Sequence, residues 1–105
     1  MEKIQENLPQ DKFRALVRVL EILRGPDGCP WDRKQTHKSL VAHLLEEAHE
    51  VVEAIDHEDS DALKAELGDL LLHILFQAEI SEEEGAFDID DVLKGITAKL
   101  IRRHP

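Results

Sequence analysis

Residues 44–55 read LLEEAHEVVEAI and residues 63–76 read LKAELGDLLLHILF. Both stretches have helical periodicity, and both set carboxylates directly beside apolar residues. Glu47 and Glu50 are three apart, as are Glu66 and Asp69, so each pair shares one face of its helix. Glu46 neighbours the first pair and precedes Glu50 by four. If the two helices pack antiparallel, four or five carboxylates surround one cavity. Crowded carboxylates raise one another's pKa values unless something positive lies among them. Hard oxygen ligands of this kind suit Mg²⁺, with Mn²⁺ as the second choice. Gly68 lies between Glu66 and Asp69. A glycine inside a helix costs about 1 kcal/mol relative to alanine, which predicts that a helix or ligand comes close there. The competing reading is an ordinary solvated acidic face, the role expected of Glu53, Glu58, Asp59, Glu82, Glu83 and Glu84.

Working outward, residues 1–9 read as a flexible leader and residues 10–105 as one domain. From Asp11 to Arg24, the recurrence of Phe13, Leu16, Val17, Leu20 and Leu23 predicts an amphipathic helix. Gly25, Pro26, Gly28 and Pro30 predict an irregular loop through Trp31 and Asp32. Ser39 is the expected N-cap of the second helix, with Leu40, Leu44, Ala48, Val51, Val52 and Ile55 as its buried stripe. Residues 57–60 form the next hinge, where Asp59 or Ser60 can cap a third helix over 61–84, roughly 36 Å long. Its middle, Leu67, Leu70, Leu71, Leu72, Ile74, Leu75 and Phe76, is apolar almost all round. That predicts a central helix or one covered by a second subunit. Gly85 ends it in a left-handed cap. Asp88 caps a last helix over 89–103, with Val92, Ile96 and Leu100 inward. No window alternates as a strand does. The expected fold is an all-α bundle of about four helices.

Composition narrows the function. The chain has 105 residues, 23 acidic against 13 basic, for a formal charge of −10. This balance disfavours nucleic acid polymers and anionic membranes as partners. A small phosphorylated ligand remains compatible, because a bound cation and a local basic patch reverse the sign locally. Cys29 is the sole cysteine, which excludes an internal disulfide and a cysteine-rich metal site. With no secretory signal and no long apolar run, the expected location is cytoplasmic.

Lys99, Arg102 and Arg103 form one of the few positive clusters. They suit a phosphate, or simply complement a helix C-terminus. Trp31 stacks a base or anchors its loop. Gln35, Thr36 and His37 contact a ligand or start the helix. His43 and His73 sit one turn from the acidic residues and adjoin that site or are plain helix histidines.

The segments GCPWDRKQTHKSLVAHLLEEAHEVVEAI (28–55) and AELGDLLLHILFQAEISEEEGAFDIDDV (65–92), with the ending KLIRRHP (99–105), resemble the MazG nucleoside triphosphate pyrophosphohydrolases. The resemblance covers nearly all of residues 13–105. It implies an all-α fold packed as a dimer, where the apolar third helix leaves a dimer or a dimer of dimers open, and Mg²⁺-dependent hydrolysis of nucleoside triphosphates to monophosphate and pyrophosphate. It implies metal ligands at Glu47, Glu50, Glu66 and Asp69, Glu46 as an accessory carboxylate, and phosphate contacts from Lys99 and Arg102 or Arg103. Glu46 or Glu47 is the candidate to orient or deprotonate the attacking water. Ala65 departs from the pattern, where a further glutamate is common. The family often carries two copies of the domain in one chain, so the alternative expectation is an N-terminal copy acting as a non-catalytic nucleotide-binding or dimerisation module.

Overall fold

The computed structural model describes residue 4 and residues 7–104. The expected leader therefore falls mostly outside the described residues. Among the described residues five α-helices follow in order: α1 (Lys12–Arg24), α2 (Pro30–Lys34), α3 (Val41–Asp56), α4 (Ser60–Glu83) and α5 (Ile89–Arg103), with a 3₁₀ turn at Lys38–Leu40. There is no strand among the described residues.

Local chemistry explains the boundaries. Asp11 caps α1, accepting from the amides of Phe13 at 2.8 Å and Arg14 at 3.2 Å. The segment expected to be an irregular loop contains α2, which starts with Pro30 at its first position, where a missing N–H costs nothing. Ser39 does not cap α3. Thr36 and Ser39 instead exchange side-chain to backbone hydrogen bonds, at 2.8 and 3.1 Å, and start the 3₁₀ turn. Asp59 caps α4 through the Ala62 amide. Past its end Gly85 is left-handed, with φ +73, and the Gly85 and Ala86 amides close back on Glu82 and Ser81 in a Schellman arrangement. Asp88 and Asp91 form a reciprocal capping box at α5.

The core is built from Leu20, Leu40, Leu75, Phe76 and Ile80, with Phe13, Leu16, Val17 and Ile89 against it. It lies where the C-terminal half of α4 meets α1 and the 3₁₀ turn. Arg24 closes this end. Its guanidinium makes two 2.7 Å bonds to Glu83 and donates to the carbonyls of Asp32 at 2.6 Å and Gln35 at 3.2 Å. It also lies over the Phe76 ring at 5.4 Å. Gly28 packs so tightly that an added Cβ would sit 2.2 Å from the Leu23 carbonyl oxygen. Close approach therefore belongs to Gly28. At Gly68 an added Cβ would meet nothing within 4 Å, so no helix of this chain comes close there, against that half of the expectation from sequence.

Two of the expected buried stripes are not buried. On α3, Leu40 just before the helix and Ala54 are buried and Val51 half-buried, whereas Leu44, Ala48, Val52 and Ile55 are exposed. On α5, every residue beyond Ile89 is exposed, including Val92, Ile96 and Leu100. The cause is geometric: α3 is covered chiefly by α4, and so is α5. The radius of gyration is 15.5 Å, against roughly 13 Å for a compact domain of this length.

Glu79 faces a cleft between α1 and the loop after it, lined also by Arg18, Glu21 and Asp27. Burial, then the charges of Glu82, Glu21 and Glu83, push its pKa up to about 7, with Arg24 partly opposing. Between the usual carboxylate pKa and about 7, the folded chain holds a proton that the unfolded chain has lost, so stability falls as pH rises through that interval. Glu79→Gln is therefore expected to raise the melting temperature at pH 8 and to leave it nearly unchanged at pH 5. Thermal melts at the two pH values check this; an equal shift at both would contradict it.

Candidate metal and nucleotide site

Helices α3 and α4 form the most extensive pair in the fold and run antiparallel across the short turn at residues 57–59. This brings the two acidic pairs together. Glu50, Glu66 and Asp69 each offer an oxygen within 4.8 Å of the others. Side-chain contact with the Glu50 carboxyl, then burial, then the charges of Glu50, Asp69 and Glu47, raise the Glu66 pKa. Glu47 is raised first by burial and then by Asp69, with His43 partly opposing. One oxygen of Glu47 and one of Glu66, both Oε2, are buried without a hydrogen-bond partner. Repelling carboxylates and orphaned buried oxygens are what a hard divalent cation would relieve, so these residues fit such an ion. Glu46 is exposed, and its charge is the smallest of the influences named for Glu47.

An aromatic cluster lies elsewhere on the same helices and on α2. Trp31, half exposed, stands edge-on to His43, with ring centroids 5.6 Å apart, and to Phe76 at 6.5 Å. His43 is one turn before Glu47 on α3, and His73 one turn after Asp69 on α4. His73 is buried, and burial followed by the charge of His43 lowers its pKa. Cys29 is half-buried and precedes α2 without capping it.

Within one chain the basic candidates stay apart from the carboxylates. Lys99, Arg102 and Arg103 lie in the last turns of the exposed α5. Of the polar residues before α3, Gln35 and Thr36 serve local architecture: the Gln35 amide donates to the Trp31 carbonyl at 2.9 Å, and the Ser39 hydroxyl donates to Gln35 Oε1. Several of the expected surface acids have partners: Glu83 holds Arg24, Glu84 meets His37 at 3.2 Å, and Glu53 meets His49 at 2.9 Å. The sequence reading missed Glu79, Arg24 and Gln77. Only the four-residue spacing of His73 and Gln77 signalled any of these contacts.

Residues 35–105 match the MazG nucleotide pyrophosphohydrolase domain. Over 93 residues the chain is 55% identical to the nucleoside triphosphate pyrophosphohydrolase/pyrophosphatase MazG of Thermotoga maritima, covering 89% of this chain and 36% of that protein. It is 52% identical over 101 residues to the uncharacterized protein YabN of Bacillus subtilis, covering 96% of this chain and 21% of that protein. It is 47% identical over 96 residues to a nucleoside triphosphate pyrophosphohydrolase of Escherichia coli K12, covering 90% of this chain and 36% of that protein. The chain thus spans between a fifth and two-fifths of the length of these relatives. With the acidic pairs meeting across α3 and α4 and two-thirds of its residues inside the domain match, the chain belongs to the MazG nucleotide pyrophosphohydrolase family.

Proposed function

We propose that this chain hydrolyses a nucleoside triphosphate to the monophosphate and pyrophosphate in a cytoplasmic setting, with Mg²⁺ as the working cation and Mn²⁺ as a substitute. The observation that carries this reading is the convergence of Glu50, Glu66 and Asp69 beside Glu47 in a chain of this family. Glu50, Glu66 and Asp69, with Glu47, would hold the cation. When bound, the cation supplies charge neutralisation on the transferred phosphoryl group and acidifies water. The chain's own part is to hold the triphosphate and to receive the proton of the attacking water. Glu47 is the better candidate for that proton, because it is half-buried beside the other carboxylates and one of its oxygens has no hydrogen-bond partner. Glu46, being exposed, is assigned the accessory role.

The apolar faces of α3, α4 and α5 favour assembly as a two-fold dimer or a dimer of dimers. A second copy would also bring Lys99 and Arg102 or Arg103 to the phosphates of its neighbour, where arginine makes paired bonds. No helix of the described residues is long and apolar enough to cross a membrane.

The test is a screen of nucleoside triphosphates with Mg²⁺, products resolved by chromatography. Monophosphate and pyrophosphate in equal amounts support the proposal. Diphosphate and inorganic phosphate would refute the cleavage position. Binding of a non-hydrolysable triphosphate by calorimetry, with no turnover of any triphosphate, would favour the nucleotide-binding module instead.

A further inference from the structure

A polar chain ties α4, from one turn past Asp69, to the end of the Trp31 segment, and the hydrolysis proposed above makes no use of it. His37 Nδ1 donates to Gln77 Oε1 at 2.5 Å, and Gln77 Nε2 donates to His73 Nε2 at 3.1 Å. Accepting at Nε2 needs that lone pair free, which puts the proton of the neutral His73 ring on Nδ1. At the other end, His37 Nε2 faces Glu84 Oε1 at 3.2 Å and Ser81 Oγ at 3.5 Å. The single amide of Gln77 therefore gives the chain one direction: its oxygen serves His37 and its nitrogen serves His73.

The placement of this chain gives it a purpose. His73 and Gln77 stand one and two turns after Asp69 on α4, and Phe76, between them, carries the edge of Trp31. His37 closes the segment that begins with Trp31. The rest of that segment is already tied at Asp32 and Gln35 by Arg24. Gln77 and His73 are drawn into the fold, half-buried and buried respectively, where an unpaired polar group is costly. A leucine at residue 77 would fill the same space without that risk, so core packing does not account for the amide.

We propose that His37, Gln77 and His73 are positioning residues for nucleotide recognition. They lock the Trp31 segment onto α4 in register with Asp69, so that the Trp31 and His43 wall stands at a fixed distance from the carboxylates and receives the base while the carboxylate end receives the phosphates. This rests on the hydrolase reading. It adds that affinity for the base end depends on residues that touch neither phosphate nor cation.

Trp31 is the sole tryptophan, so its fluorescence reports the segment without any substrate. The comparison uses the whole chain as wild type, Gln77→Met, His37→Leu and His37→Asn. Asparagine keeps an N–H donor where His37 Nδ1 stood; leucine does not. Acrylamide quenching of Trp31 is expected to rise in Gln77→Met and His37→Leu and to stay at the wild-type level in His37→Asn. With the best triphosphate, KM is expected to rise about tenfold in the first two while kcat stays within about twofold. Should Gln77→Met fail to fold, the His37 pair decides alone. Equal quenching in all four proteins would overturn the proposal, as would a fall in kcat at unchanged KM. A wild-type chain that hydrolyses no triphosphate would refute the hydrolase reading, while the quenching comparison would still judge the lock itself.

Discussion

Glu50→Gln and Asp69→Asn are each expected to lower Mg²⁺-dependent release of pyrophosphate by more than about a hundredfold. Loss of a group that merely supports a metal ligand already costs about 10- to 100-fold, and these two residues are the proposed direct ligands. The fold should survive. Neither residue belongs to the core cluster, and Asp69 is exposed. Without cation, the variants should melt higher than the wild type near neutral pH. The raised pKa values of Glu47 and Glu66 mean that the folded state holds protons the unfolded state has lost, so wild-type stability falls as pH rises out of the acid range. Removing one of the crowding charges eases that penalty. Added Mg²⁺ should raise the melting temperature of the wild type and do little for the variants. A variant with wild-type turnover, or with an undiminished Mg²⁺ shift, would show the ligands to be elsewhere.

The double variant Leu93→Asp with Ile101→Asp is expected to separate the subunits. Both residues lie on α5 and line one open cleft, with Leu93 40% and Ile101 66% exposed in the single chain. On a true monomer surface such changes would shift stability by no more than about 0.5 kcal/mol. Under a partner they would bury unpaired charge, which a helix with so few other contacts cannot absorb. Light scattering should therefore fall from twice 12.0 kDa, or a multiple of it, to 12.0 kDa. The wild-type melting temperature should also rise with protein concentration, and the variant's should not. A wild type that already scatters as 12.0 kDa, with the double variant melting at the same temperature, would end the dimer proposal.

Much of the fold was legible because helix signals are local. The Asp88 and Gly85 caps, and the Asp59 cap as one of two candidates, each depend on a few neighbouring residues and were readable; the Asp11 cap is one the sequence analysis did not assign. The acidic pairs were equally plain, since positions three apart must share a helix face. Other features depended on partners distant in sequence. Glu79 reads as one more surface acid until α1 is laid beside it. Arg24 reads as an ordinary basic residue in a last turn, although its acceptors lie on α2, after α2 and on α4. The buried stripes of α3 and α5 were expected from periodicity alone. Periodicity identifies which face of a helix prefers an apolar neighbour; it does not say whether the same chain supplies that neighbour.

The buried core and the acidic site occupy different lengths of the α3–α4 pair. Leu75, Phe76 and Ile80 anchor α4 at one end, while Glu66 and Asp69 lie towards the turn at residues 57–59, with the small Ala54 as the buried apolar contact there. The two ends are thus held by different forces. One end is held by packing, which the whole protein must unfold to lose. The other is held by a helix pair whose facing charges repel. Amide protons in the first half of α4 should accordingly exchange with solvent through local opening, well before those around Phe76. A cation among the carboxylates would act as a clasp on that softer half, slowing its exchange and leaving the packed end as it was.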